Sequence, residues 1–413
     1  PLQYELVSTN TSTNGEIIPN ISKTDITGTS IELGKGHFVK ANNAKHTYLL
    51  KIYYPKKTTS QNANQGAAFS AHVEITSAKA PTISNLAETI LANNEVKTPI
   101  TIPGAAVSTA DEALLASAED DNGSSYYFRG AVKNNYVEFA NKCWRIVRVG
   151  GDGSVKLILH NDNTTKAANP CAAANNSASA AFARYSGETY KSKFNTNYND
   201  NAYIGFKYGT PGSNTYEATH ANTNNSTILN NLEAWYDKNN LKNYEKVIAD
   251  TVWCTDKTNV TDTTYNPWNI NNVNGYGYGT NVTYYGATQR LVSTNDYSAG
   301  GTGPSLKCNG ELSKINSKVG LIAADELAFA GYAHRQNNTT TYLQENATDA
   351  YWWSLSPIYF YNGSAYVYIV GGSMGYFPGL VLGTYGVRPS ISLKSTTNVT
   401  GEGTSSSPFV VKI

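Results

Sequence analysis

Apolar and polar residues alternate in short runs over the first 78 positions, at 4–7, 37–40, 48–53 and 69–75. A period of two marks a half-buried strand, because successive side chains along a strand point to opposite faces. Gly34, Gly36, Asn42, Asn43, Pro55 and Gly66 separate the runs with turn chemistry. Residues 1–78 therefore read as an all-β domain, a small antiparallel sandwich. The pattern then changes. Leu86, Ala87, Ile90 and Leu91 share one helical face after Ser84, and Ser108 with Asp111 starts a capping box for a second helix over 113–117. Residues 79–125 read as a helical connector, with the Pro-containing stretch 98–105 between its helices.

Strand patterns return from Tyr126. The runs 136–139, 143–149 and 155–159 are predicted strands, the last two joined by the hairpin turn Gly150-Gly151-Asp152-Gly153. Trp144, Ile146 and Val149 alternate with Arg145, Arg148 and Lys156, which predicts one buried face and one wet face. Residues 160–225 are mostly Asn, Ala, Ser, Thr and Gly, and 259–298 are rich in Asn, Tyr and Gly, so both read as loops. Helices are predicted at 226–239, where Ile228, Leu229, Leu232, Trp235 and Tyr236 line one side, and at 325–331 after strand-like 319–322. Residues 351–393 form the most strand-rich and aromatic stretch. The span 126–413 thus reads as an α+β domain.

Composition narrows the function classes. Lys+Arg number 32 against Asp+Glu 31, and charged residues make up 15% of the chain where soluble domains carry about 25%. Without a basic face nothing displaces counterions from phosphates, so nucleic acid is not an expected partner. Mean hydropathy is −0.40, and no apolar run approaches the roughly 18 to 20 residues needed to span a bilayer. The polar weight lies instead in Asn, Thr, Ser and 34 Gly, and the aromatic weight in 30 Tyr. Tyr offers contact area at low entropic cost with a hydroxyl to wet, which suits sheets and binding surfaces. The chain opens at Pro1 with neither an initiator Met nor a signal peptide, as expected of a processed terminus or a piece of a longer chain, with any leader or anchor upstream.

Cys143, Cys171, Cys254 and Cys308 have no CxxC spacing. Two disulfides are expected on the charge-poor, Asn/Thr/Tyr-rich surface of an extracellular protein; four buried thiols would be the cytoplasmic alternative. Three pairings join four cysteines, and sequence proximity favours Cys143 with Cys171 and Cys254 with Cys308.

The chain offers little reaction chemistry. His37, His46, His72, His160, His220 and His334 are scattered without metal-ligand spacing. Gly275-Tyr276-Gly277-Tyr278-Gly279 is superficially similar to a phosphate loop, but no apolar strand precedes it and no Lys-Ser/Thr follows, so it reads as an aromatic loop. Glu119-Asp120-Asp121 reads as a solvated acidic turn, and Asp325 and Glu326 as carboxylates favoured by a helix N-terminus. No nucleophile is paired with a recognisable base. The expectation is a protein that is not an enzyme and carries no cofactor or metal.

The C-terminal stretch carries the recognisable features. Trp352-Trp353-Ser354-Leu355-Ser356-Pro357 opens it, and Gly386-Val387-Arg388-Pro389 nearly closes it. Between them aromatic and aliphatic residues stand among glycines in numbers that flanking strands cannot all bury, so some must face solvent or a partner. With Tyr126-Tyr127-Phe128-Arg129-Gly130, Cys143-Trp144-Arg145-Ile146-Val147-Arg148, Gly320-Leu321-Ile322, Asp325-Glu326 and the tail 401–411, this region resembles C-type-lectin-fold, formylglycine-generating-enzyme-like domains. Those domains serve as variable proteins of diversity-generating retroelements and as related surface proteins of gut Firmicutes.

The resemblance implies two helices against a twisted antiparallel sheet. It implies a framework of Trp352, Trp353, Leu355, Pro357, Val367, Val381, Gly386, Val387, Arg388 and Pro389. It also implies an exposed binding surface of Tyr359, Tyr361, Tyr366, Tyr368, Met374, Tyr376, Phe377, Leu380, Leu382, Thr384 and Tyr385. The calcium-dependent sugar motif of animal C-type lectins is absent, as are the paired cysteines of the oxidase-like enzymes. Residues 45–54 and 64–69 are more distantly similar to the immunoglobulin-like β-sandwiches of Gram-positive biofilm-fibre proteins. There residues 2–9 would be a strand lent to a neighbour, or an ordinary edge strand of their own domain.

The expected function is thus a bacterial extracellular or cell-surface ligand-binding protein of adhesin or receptor type, whose partner is a protein or surface ligand. The alternative is a structural subunit self-associating into a filament or pilus through its N-terminal β domain.

Overall fold

The computed structural model describes residues 1–10, 17–36, 45–62, 65–75, 83–107, 112–294 and 297–413. The protein is β-rich, 31% strand against 14% helix, and divides into two compact units, Pro1–Pro81 and Thr82–Ile413.

In the first unit Gln3–Ser8 is the central strand of an antiparallel sheet, flanked by Ile21–Asp25 and Tyr48–Tyr53. The edge-strand expectation for residues 2–9 is therefore corrected: both sides are already hydrogen-bonded. Of the expected sandwich the described residues show one three-stranded sheet. Residues 69–75 alternate as a strand should, yet adopt no strand. Alternation decides which face a side chain takes, not whether a neighbouring edge exists. Phe69, Val73 and Ile75 are consequently 53%, 62% and 89% exposed. The run 37–40 lies outside the described residues.

The second unit absorbs most of the expected connector. Helix Leu86–Asn93, N-capped by the Asn85 side chain on the Glu88 amide, buries Leu86, Ala87 and Ile90 in the main core. The predicted helix over 113–117 is instead part of a strand, Ala113–Asp120, paired residue for residue with Gly123–Gly130. Leu114 and Ala116 pack toward Tyr127 and Phe329 while Leu115 enters the main core on the other face. A run that is apolar on both sides suits a covered strand better than an amphipathic helix. Ser108 and Asp111 lie outside the described residues.

Lys142–Val149 and Val155–Asn161 form the middle of a nine-stranded sheet, where Phe409–Lys412 runs parallel to Tyr136–Phe139. Their basic residues do not face water. Arg145 is fully buried with its guanidinium on Asn135, the Val132 carbonyl and Glu345, and Lys156 is buried on Glu326. Helices Thr227–Lys238, capped by Ser226, and Ala324–Ala330 occupy the expected positions. Helix Gly286–Leu291 arises within the expected loop 259–298, six residues being too short to display a 3.6 period. Disulfides Cys143–Cys171 and Cys254–Cys308 close as sequence proximity favours.

Candidate functional site

Strands Trp352–Tyr361, Ser364–Gly371 and Gly375–Leu380 pair antiparallel, Tyr359 opposite Tyr366 and Tyr366 opposite Leu380, so these three form one row across one face. Along the same face Tyr368 lies opposite Pro378, and Tyr376 opposite Val370. All ten framework positions implied by the resemblance are buried.

The binding set is only partly brought together. Tyr368 and Tyr376 are fully buried and are not surface residues. His334 covers them, its ring 6.1 Å from each of theirs, and Trp268 covers His334 at 6.0 Å. On this face the rings that reach the surface are Tyr361, 39% exposed, and half-buried Tyr359, Tyr366 and Trp268. Tyr359 meets Trp268 at 5.1 Å, Tyr366 at 4.8 Å and Tyr361 at 6.5 Å, mostly edge to face. Trp268 stacks in turn on Tyr284 at 5.7 Å.

On the opposite sheet face, Phe377 lies edge-on to Tyr351 at 5.0 Å, and Tyr385 meets Trp353 at 4.9 Å. Tyr351 lies over Gly371, where a side chain would collide with its ring. Leu380 ends its strand half-buried, Met374 sits in the turn closed by its amide on the Gly371 carbonyl, and Leu382 and Thr384 occupy the turn after Leu380. Sequence reading missed Trp268 and Tyr284, because their segment looks like an open loop until it folds over the sheet.

A second concentration of chemistry lines a cleft of about 200 Å³ beside the Cys254–Cys308 disulfide. Arg290 bridges Asp256 at 2.6 Å and Asp325 at 2.7 Å; Arg148 bridges Asp120 at 2.8 Å and Glu326 at 3.0 Å; Lys156 adds Glu326 at 2.6 Å. Asp120 is therefore a buried ion-pair partner rather than part of a solvated turn, and Asp325 and Glu326 do more than face a helix dipole. Burial pushes the Glu326 carboxyl up, but Lys156 and Arg148 overcome it and hold it down to about 2. With Arg148, Lys156 and Arg290 each on a carboxylate, the network clamps helix Ala324–Ala330 to the strands.

Three histidines are buried and neutral. Burial, reinforced by the Lys257 charge, lowers His220 to about 3; burial and Arg335 lower His334 to about 3; burial with Arg145 and Arg388 holds His160 well below its usual value. Lys257, for which the sequence gives no reading, is fully buried. Its ammonium donates to the Lys207 and His220 carbonyls and to Asn222 Oδ1, and burial lowers it to about 7. No known protein family, curated protein or solved structure matches this chain.

Proposed function

We propose that this chain is a bacterial extracellular or cell-surface binding protein whose second unit, arranged like a C-type-lectin domain, displays an aromatic patch to a protein or surface ligand. The observation that carries this reading is the cluster of Tyr359, Tyr361, Tyr366 and Trp268, four large rings that reach the surface above a fully packed core. Aromatic anchors dominate binding energies because they desolvate much area with few rotors to freeze. Two disulfides favour an oxidising compartment.

Replacing Tyr361 and Tyr366 together by Ala is expected to lower Tm by less than about 3 °C while abolishing binding on an array of extracellular proteins and glycans. Tyr376→Ala is the contrasting case and should cost about 3 to 5 kcal/mol, as for any large ring removed from a packed core. Array binding that survives the double substitution would count against the reading.

A filament subunit is the second reading, favoured by a specific feature of the first unit. Among its described residues that unit buries only Tyr4 and Leu6 of its apolar side chains and leaves Leu49, Ile52, Phe69, Val73 and Ile75 exposed. A second copy covering them would supply the missing core. Val73→Asp with Ile75→Asp should then dissolve any polymers seen by negative stain without lowering the Tm of the second unit. A parent protein that stays monomeric in light scattering at high concentration removes this reading.

A further inference from the structure

Arg335 stands beside the aromatic patch and makes no ion pair among the described residues. It is exposed and follows His334, whose ring supports Trp268, and its charge acts on the Tyr359 hydroxyl. The guanidinium lies 5.3 Å from the ring centroid of Tyr297, itself 45% exposed. Both members of this pair are held with left-handed backbone, φ 53° at Arg335 and 48° at Tyr297. Of the other ten such residues, eight are Asn, which tolerates the region, and two are Ala140 and Lys166; an arginine and a tyrosine adopt it at a cost in free energy. Such strain persists where the surrounding structure imposes it, and it gathers at binding sites.

We propose that Arg335 and Tyr297 extend the patch into a site for an acidic segment of a protein partner. The guanidinium pairs with a carboxylate, and Trp268, Tyr359, Tyr361 and Tyr366 take the apolar side chains next to it. The inference rests on the binding reading above and adds the chemistry of the ligand. A cation over an aromatic ring with no ion-pair partner among the described residues attracts carboxylates, and Arg with Tyr and Trp is the usual make-up of an interface hot spot. The rings favour a peptide over a sugar. Tyr359 meets Trp268 at 67°, Tyr361 at 80° and Tyr366 at 48°, giving ridges and notches for side chains rather than a flat platform for a pyranose.

The test is to pan phage-displayed random dodecapeptides on the whole protein and measure binding of the synthetic consensus peptide. Enriched peptides should combine Asp or Glu with apolar residues, and should bind at least about tenfold more weakly to Arg335→Ala and to Tyr361→Ala. Arg335→Gly supplies the control for folding, since glycine relieves the left-handed backbone: its Tm should equal or exceed the parent's while peptide binding falls. Peptides that need Tyr361 but ignore Arg335 overturn this inference and leave the binding reading standing. Failure to enrich any peptide dependent on Tyr361 overturns both. Binding of sialyllactose or polygalacturonate that depends on Arg335, with no acidic peptide enriched, replaces the peptide with an acidic sugar and equally overturns the proposal.

Discussion

Acidification from pH 7 to pH 5 is expected to remove about 6 kcal/mol of stability from the second unit. His160, His220 and His334 are neutral and almost completely buried in the folded state, with values of about 3 for His220 and His334 and well below the usual one for His160. In the unfolded chain each titrates near 6.5, so below that pH the unfolded state binds more protons and stability falls with pH. Each histidine then costs about 2 kcal/mol by pH 5. Glu326, held down to about 2, adds to the loss below roughly pH 4.5. Because domains hold about 5 to 15 kcal/mol in total, unfolding without denaturant is expected between about pH 4 and 5.

Urea titrations at a series of pH values measure this directly. His334→Phe, whose ring fits among Trp268, Tyr368 and Tyr376, should flatten the curve by about 2 kcal/mol between pH 7 and 5. Stability that stays level down to pH 4 would refute the buried neutral histidines. Lys257 acts in the opposite window. With its folded value lowered to about 7, the protonated form is penalised below that pH, so stability should rise by about 2 kcal/mol from pH 7 to 9.

Removing both disulfides should cost about 8 kcal/mol. The bridges span 28 and 54 residues, and loop-closure entropy assigns about 4 kcal/mol to each in the chain-entropy account. Cys143→Ser with Cys171→Ser releases the Asn- and Ala-rich segment after Asn161 from strand Lys142–Val149. Cys254→Ser with Cys308→Ser frees the wall of the ion-pair cleft. Each pair should lower Tm by roughly 6 °C. The two bonds should also differ in accessibility. Cys143 and Cys171 are sealed in the interior, while Cys254 is half-buried and opens on the cleft. Dithiothreitol on native protein should therefore reduce Cys254–Cys308 first, as read by mass after alkylation. Loss of less than about 1 kcal/mol from either pair would show that the bond is not structural.

Much of the scaffold was legible in the chain, and local physics explains which part. The helix over Thr227–Lys238 follows from a one-sided apolar stripe behind a Ser cap, and the strands around the Gly150–Gly153 turn follow from alternation and turn chemistry. The disulfide pairs agree with sequence proximity. The framework of the C-terminal stretch is buried where the Trp-Trp and Gly-Val-Arg-Pro motifs place it.

What the chain could not disclose depends on contacts between distant segments. Alternation puts Tyr359, Tyr366, Tyr368 and Tyr376 on one face without saying what covers it. The cover comes from Trp268 and His334, remote in sequence, and it buries the last two while leaving the first two at the rim. Arg145, Arg148 and Lys156 look solvated because a lone charge belongs in water; folding brings Glu345, Asp120 and Glu326 to them from far along the chain. Residues 69–75 show the converse, a strand pattern that pairs with no strand among the described residues. The sequence by itself determined the local elements and the apolar faces, because periodicity and capping act over a few residues. Only the tertiary structure decided which aromatic rings remain exposed and which charges are buried, because burial is set by the segment that lands on top.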